Sequence, residues 1–114
     1  MDKTKDRIPP QSLEAEKAVL GCILINSDSI NDALEYLSAS SFYDTKNKGI
    51  FEAMLDLYDK QSPIDSINLT EALKKTGKLD DVGGAYYITG LSQQAPSVAN
   101  AEHYAKIIKE KQIL

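Results

Sequence analysis

The residue types that carry phosphate, metal and nucleophilic chemistry are sparse in this chain: six glycines, one cysteine at position 22 and one histidine at 103. A Walker-type phosphate loop needs two glycines five residues apart and then Lys-Ser or Lys-Thr, so that backbone amides can cradle the phosphates. The sole Gly-Lys pair is Gly77-Lys78; the partner position is Ala72 and the following residue is Leu79. Gly83-Gly84 does not fit G-x-G-x-x-G and reads as a tight turn leading into a helix. Cys22 and His103 cannot complete the usual zinc set without carboxylates. Asp28, Asp56, Asp59, Asp65, Asp80 and Asp81 lie mostly at predicted helix ends, where capping and solvation explain them, and no calcium-loop spacing is present. With no base or nucleophile partner, Cys22 reads as a small buried hydrophobe and His103 as a partly exposed helix residue. The expectation is no catalytic, cofactor-binding or metal-binding residue in this chain.

The aromatic residues offer a different chemistry. Phe42 and Tyr43, with Lys46 and Lys48, have the composition of a small stacking patch for single-stranded DNA, although two aromatics beside a core helix are also ordinary core residues. Tyr86, Tyr87 and Tyr104 suit a protein interface, because a tyrosine ring buries well while its hydroxyl keeps a polar partner. Adjacent residues point about 100° apart on a helix, so Tyr86 and Tyr87 cannot both face one core. Tyr87 is the better core candidate and Tyr86 the first interface candidate. Asn68-Leu69-Thr70 forms a glycosylation sequon, which reads better as part of a capping box with Glu71.

Helices must position these groups. Ser12 offers a cap, Glu14 and Glu16 complement the positive helix end, and Leu13, Val19, Leu20, Ile23 and Leu24 recur at helical spacing, giving a helix over about 12–26. Ile30, Ala33, Leu34 and Leu37 trace a short second helix. The stripe Ile50, Phe51, Met54, Leu55, Leu57 and Tyr58 predicts the central core helix over about 45–60, before Pro63. Asn68 with Glu71 brackets a helix over about 69–76, which Gly77 closes behind two lysines. Gly84, Tyr87, Ile88 and Leu91 share one face of a fifth, up to Pro96; Ser97 caps a sixth, with Ala101, Tyr104, Ala105 and Ile108 on one side. Nothing alternates with period two for long enough to make a sheet. The class is therefore all-α, a compact bundle of about six helices.

At 114 residues there is room for one core and not for a complete motor enzyme. A net charge of −4 lacks the positive field that gripping phosphate requires. The longest apolar stretch, Val19–Ile25, falls far short of the roughly 20 residues that span a bilayer. The charged amino terminus lacks a signal-peptide core, and the lone cysteine suits a reducing compartment, so a cytoplasmic location is expected. The sequence ends at Ile113-Leu114 with no terminator, which reads as a stop within a helix. The organisation is a polar tail and Pro-Pro lead-in over 1–11, a globular helical domain over 12–96, and a helix over 97–114.

Set in order, Pro9-Pro10-Gln11-Ser12-Leu13-Glu14-Ala15-Glu16, Val19-Leu20-Gly21, Phe42-Tyr43, Ile50-Phe51, Pro63-Ile64-Asp65, Val82-Gly83-Gly84 and Tyr104 to Lys111 form a specific series. It resembles the N-terminal domain of the bacterial replicative DNA helicase, DnaB type, over about residues 8–114. The resemblance implies a non-catalytic collar at the replication fork: six such domains, assembled as a trimer of dimers, onto which primase docks. A helicase loader is a further partner that it suggests. It also implies that the ATP- and Mg-dependent 5′–3′ motor, which holds the DNA, lies beyond this domain, and that the last helix begins a helical hairpin. Family members often carry a large apolar residue after the paired glycines, where this chain has Ala85; Tyr86 supplies comparable bulk. On this reading Tyr86, Tyr104, Ile107, Ile108 and Lys111 are the candidate interface for self-association or primase, with Ile108 equally suited to the core. The competing class is the single-stranded DNA module built on Phe42, Tyr43, Lys46 and Lys48.

Overall fold

A run such as Val19-Leu20-Gly21-Cys22-Ile23-Leu24 has no polar side to give to water, so a helix containing it has to be surrounded by other elements. The computed structural model, which describes residues 10–95 and 100–112, is built around that helix. The order is α1 Pro10–Ile25, α2 Ser29–Leu34, α3 Thr45–Asp59, α4 Ser66–Lys75, α5 Gly84–Gln93 and α6 Ala101–Gln112, with 3-10 turns at Ala39–Ser41 and Asp80–Val82. Among the described residues there is no strand and no helix long and apolar enough to cross a membrane. Over the described residues the fold is all-α with six helices, as the periodicity indicates.

The centre is α1, not the helix over 45–60. Val19, Leu20, Cys22 and Ile23 are fully buried, and α1 packs against α2, α3, α5 and α6. One wall of the bundle is α3, with Asn47, Ile50, Phe51, Met54 and Leu57 turned inward and the opposite face wet. The periodic stripe marked α3 as amphipathic, and amphipathicity belongs to a helix with one solvated side; the all-round apolar segment is the one at the middle. From the other walls, Leu69 and Leu73 of α4, Ile88 and Leu91 of α5, and Ala105 and Ile108 of α6 complete the same core.

Close approach of α1 and α5 depends on Gly21. A Cβ there would lie 2.5 Å from the Leu91 carbonyl oxygen and 2.9 Å from the Ala95 Cβ. At the start of α5, Gly83 and Gly84 have φ of +99° and +76°, which reverse the chain between the 3-10 turn and the helix and are costly for any residue with a Cβ.

Aspartates set the helix starts. The Asp44 carboxylate accepts from the amides of Lys46 and Asn47, at 2.8 and 3.2 Å, and starts α3. Asp65, in extended backbone, accepts from the Asn68 amide at 2.8 Å, so α4 starts three residues earlier than the Asn68–Glu71 capping box implied. The Asn68 side chain instead donates to the Pro63 carbonyl at 3.1 Å, and Glu71 pairs with Lys74 on the surface. At the far end of α4, Gly77 at φ +71° bonds to Lys74 while the Lys78 amide bonds to Leu73, a Schellman closure. Ser97 lies outside the described residues; α6 as described starts at Ala101, with the Asn100 side chain accepting from His103 at 3.0 Å.

Gly21 and Gly77 separate two reasons for glycine. Substituting Gly21→Ala drives a methyl into backbone that cannot give way, and should lower the unfolding free energy by about 3 kcal/mol. Gly77→Ala, with nothing within 4 Å of the new carbon, should cost only the left-handed backbone strain, about 1 kcal/mol. Urea denaturation of both variants measures the difference.

Candidate protein interface and the polar network behind it

On α1, Glu16 shares a helical face with Val19, Leu20 and Ile23, at spacings of three, four and seven. It is 1% exposed. A carboxylate there has to find donors, and the start of α3 supplies them. Glu16 Oε2 accepts from the Tyr43 amide at 2.7 Å; Oε1 accepts from the Asp44 amide at 3.3 Å and from Asn47 Nδ2 at 2.9 Å. Glu16 therefore serves the amino end of α3 rather than that of its own helix, where sequence reasoning had placed its charge. Asn47 is fully buried, and its Oδ1 accepts from the Tyr87 hydroxyl of α5 at 2.6 Å. Lys46 Nζ stands 5.4 Å from the centre of the Tyr87 ring. Three helices are thus joined through one chain of hydrogen bonds, Tyr87 to Asn47 to Glu16.

Burial pushes the Glu16 carboxyl above its ordinary 4.5, opposed by the hydrogen bonds from Asn47, Tyr43 and Asp44 and assisted by the negative charge of Asp44. Burial, with the charges of Asp44 and Glu16, pushes the Tyr87 hydroxyl up to about 12. Burial also pushes the Cys22 thiol up, in keeping with a core hydrophobe rather than a nucleophile.

Tyr86 points the other way and is 91% exposed. It borders a groove of about 240 Å³ between α1 and α5, lined by Lys17, Tyr87, Thr89, Gly90, Leu91 and Gln94 as well. Lys17, Leu91 and Gln94 also line a second hollow of about 340 Å³, closed by Glu14, Ala18 and Tyr104. The two hollows share that wall, with Tyr86 lining the first and Tyr104 the second. Tyr104 is half-buried and meets the His103 ring edge-on at 5.0 Å between centres. Ile107 is half-buried against the core and Lys111 is partly exposed. Ile108 is 1% exposed and belongs to the core, because it repeats the inward face of Ala101 and Ala105. On the far side of α6, Glu102 accepts from the Tyr36 hydroxyl at 2.8 Å and ties α6 to the turn that follows α2.

The DNA-stacking patch is not assembled. Phe42 is buried and packs on Phe51 with ring centres 4.7 Å apart, leaving Tyr43 exposed without its neighbour, while Lys46 lies over Tyr87 and Lys48 is half-buried. Gly77-Lys78 closes a helix rather than opening one, the reverse of a phosphate loop.

The chain belongs to the DnaB-like helicase N-terminal domain family, whose model matches residues 8–110. It is 42% identical over 113 residues to the replicative DNA helicase DnaC of Bacillus subtilis, and 39% identical over 109 residues to the replicative DNA helicase DnaB of Geobacillus stearothermophilus. Those alignments take in 99% and 96% of this chain but only 25% and 24% of the relatives, so the chain spans about a quarter of their length. The crystal structure of the N-terminal domain of DnaB helicase from Mycobacterium tuberculosis superposes with a TM-score of 0.87 at 40% identity, covering 93% of this chain and 77% of that one.

The Tyr87 hydroxyl gives a pH signature. Its folded pKa is raised from 10 to about 12, so the stabilisation it provides is complete below pH 10 and is lost as pH rises through about 12. The stability difference between the wild type and Tyr87→Phe should be constant up to pH 10, then shrink by on the order of 2 kcal/mol by pH 12, as read by chemical denaturation.

Proposed function

We propose that this chain is the non-catalytic N-terminal collar domain of a hexameric replicative DNA helicase, mediating dimer contacts within the hexamer and the recruitment of primase during DNA replication. The observation that carries this reading is Tyr86, a large aromatic with 91% of its surface in water beside a groove whose Lys17, Leu91 and Gln94 wall also bounds the hollow lined by Tyr104. Exposed tyrosines around a depression are the kind of anchor on which protein interfaces concentrate their binding energy. Net charge supports the same division of labour: at −4 the domain repels phosphate, and its partners are proteins.

ATP and Mg act in this reading on a separate motor domain, which carries the 5′–3′ helicase activity and the main contacts with DNA; no residue of this chain touches nucleotide. A cytoplasmic site of action at the replication fork follows from that role. The interface centres on Tyr86, Tyr104, Ile107 and Lys111, with Ile108 acting from the core by holding α6 in place. A helicase loader is a second protein partner for the collar.

Two variants test the reading. Tyr86→Ser and Ile107→Asp, checked for intact helix content by circular dichroism, should lower the self-associated mass by light scattering or weaken primase binding by calorimetry. The expected loss is about thirtyfold for an anchor residue, the equivalent of roughly 2 kcal/mol. Unchanged mass and unchanged primase affinity in folded variants would overturn the interface assignment.

A further inference from the structure

The Glu16–Asn47–Tyr87 network has a fixed direction in this structure. Both Glu16 oxygens accept, so Asn47 has to present its amino group to Glu16 and its carbonyl oxygen to Tyr87, and Tyr87 has to spend its proton inward. Each amide orientation is compatible with only one state of the carboxyl group. A neutral Glu16 carries a proton that must be donated, and Tyr43, at 2.7 Å on Oε2, offers only a donor. Oε1 faces Asn47, the one partner that can change from donor to acceptor by turning its amide over.

We propose that Glu16, Asn47 and Tyr87 form a proton-linked relay that carries the protonation state of the buried carboxyl to the α5 hydroxyl. One proton from solvent binds Glu16 Oε1. The Asn47 amide turns by half a revolution, so that Oδ1 accepts from the new Oε1–H and Nδ2 donates to the Tyr87 oxygen. The Tyr87 proton, no longer needed inward, turns outward; no covalent bond other than the new O–H is made or broken. Oε2 keeps its bond from Tyr43.

The charges that bear on this relay are few. Asp44, at the start of α3, raises both Glu16 and Tyr87 and is the stronger of the two carboxylates acting on the Tyr87 hydroxyl. Lys46 of α3 stands over the Tyr87 ring. Glu14 and Lys17 flank Glu16 on α1, and Tyr104 of α6 lines the hollow beside them. Desolvation of Glu16 moves its titration toward neutrality, the direction a responsive group requires. The consequence falls on Tyr87, one of the residues that line the groove between α1 and α5: its hydroxyl stops donating to Asn47 and accepts from it when Glu16 takes a proton. This inference does not depend on which protein occupies that groove.

An NMR titration of the isotopically labelled chain tests it. The Glu16 Cδ, Asn47 Nδ2 and Tyr87 Cζ signals should move together with one midpoint above 4.5. Asp44→Asn, which keeps a capping side chain, should leave that joint movement in place, whereas Glu16→Gln should abolish the Asn47 and Tyr87 responses. A Glu16 midpoint at or below 4.5 would overturn the proposal. So would a Glu16 titration during which Asn47 and Tyr87 stay still, or an Asn47 response that disappears in Asp44→Asn. The wild-type titration decides the matter even if Glu16→Gln does not fold.

Discussion

A carboxylate with 1% of its surface in water is the constraint around which this domain is arranged. Glu16 is buried on the central helix and cannot be left without donors, since an unpaired buried charge is among the most destabilising features a fold can contain. Its donors come from the residues that start α3, so the position of α3 against α1 is fixed by polar geometry as well as by apolar packing. Asn47 can supply one of those donors only while its other end is satisfied, and Tyr87 satisfies it. Hydrophobic contact is tolerant of sliding and rotation; a chain of directional hydrogen bonds through three side chains is not. The seating of α5 on α1 rests on that chain and on the close approach at Gly21.

Most of the architecture could be read from apolar spacing. Helices at Ser29–Leu34 and Thr45–Asp59 and the Gly77 stop follow from periodicity and cap chemistry, because these are local properties. The choice of central helix could not be read from an amphipathic stripe, since the second half of α1 is apolar all round and its burial is decided by which other helices surround it. Asp65 displaced Asn68 as the cap of α4 because a carboxylate in extended backbone three residues before an amide outcompetes a later candidate already inside the helix.

The internal site carried a signal that local rules passed over. Glu16 with Val19, Leu20 and Ile23, and Asn47 with Ile50, Phe51 and Met54, each put one polar residue at the head of an apolar row with the same spacing of three, four and seven. Taken singly, each looks like a helix-end residue. Taken as a pair, two polar residues at the heads of buried rows imply that they meet. Tyr87, set on an apolar face next to an exposed tyrosine, is the third of the same kind. Tyr86 was legible as the outward one of two neighbours, because the 100° step of a helix forbids burying both.

The central claim is that Glu16 and Tyr87 act on each other through Asn47, although no direct hydrogen bond joins them. A double-mutant cycle measures that claim most directly. Unfolding free energies of the wild type, Glu16→Gln, Tyr87→Phe and the double variant should yield a coupling of about 1 kcal/mol or more. Additivity to within about 0.3 kcal/mol would show two independent side chains and contradict the account.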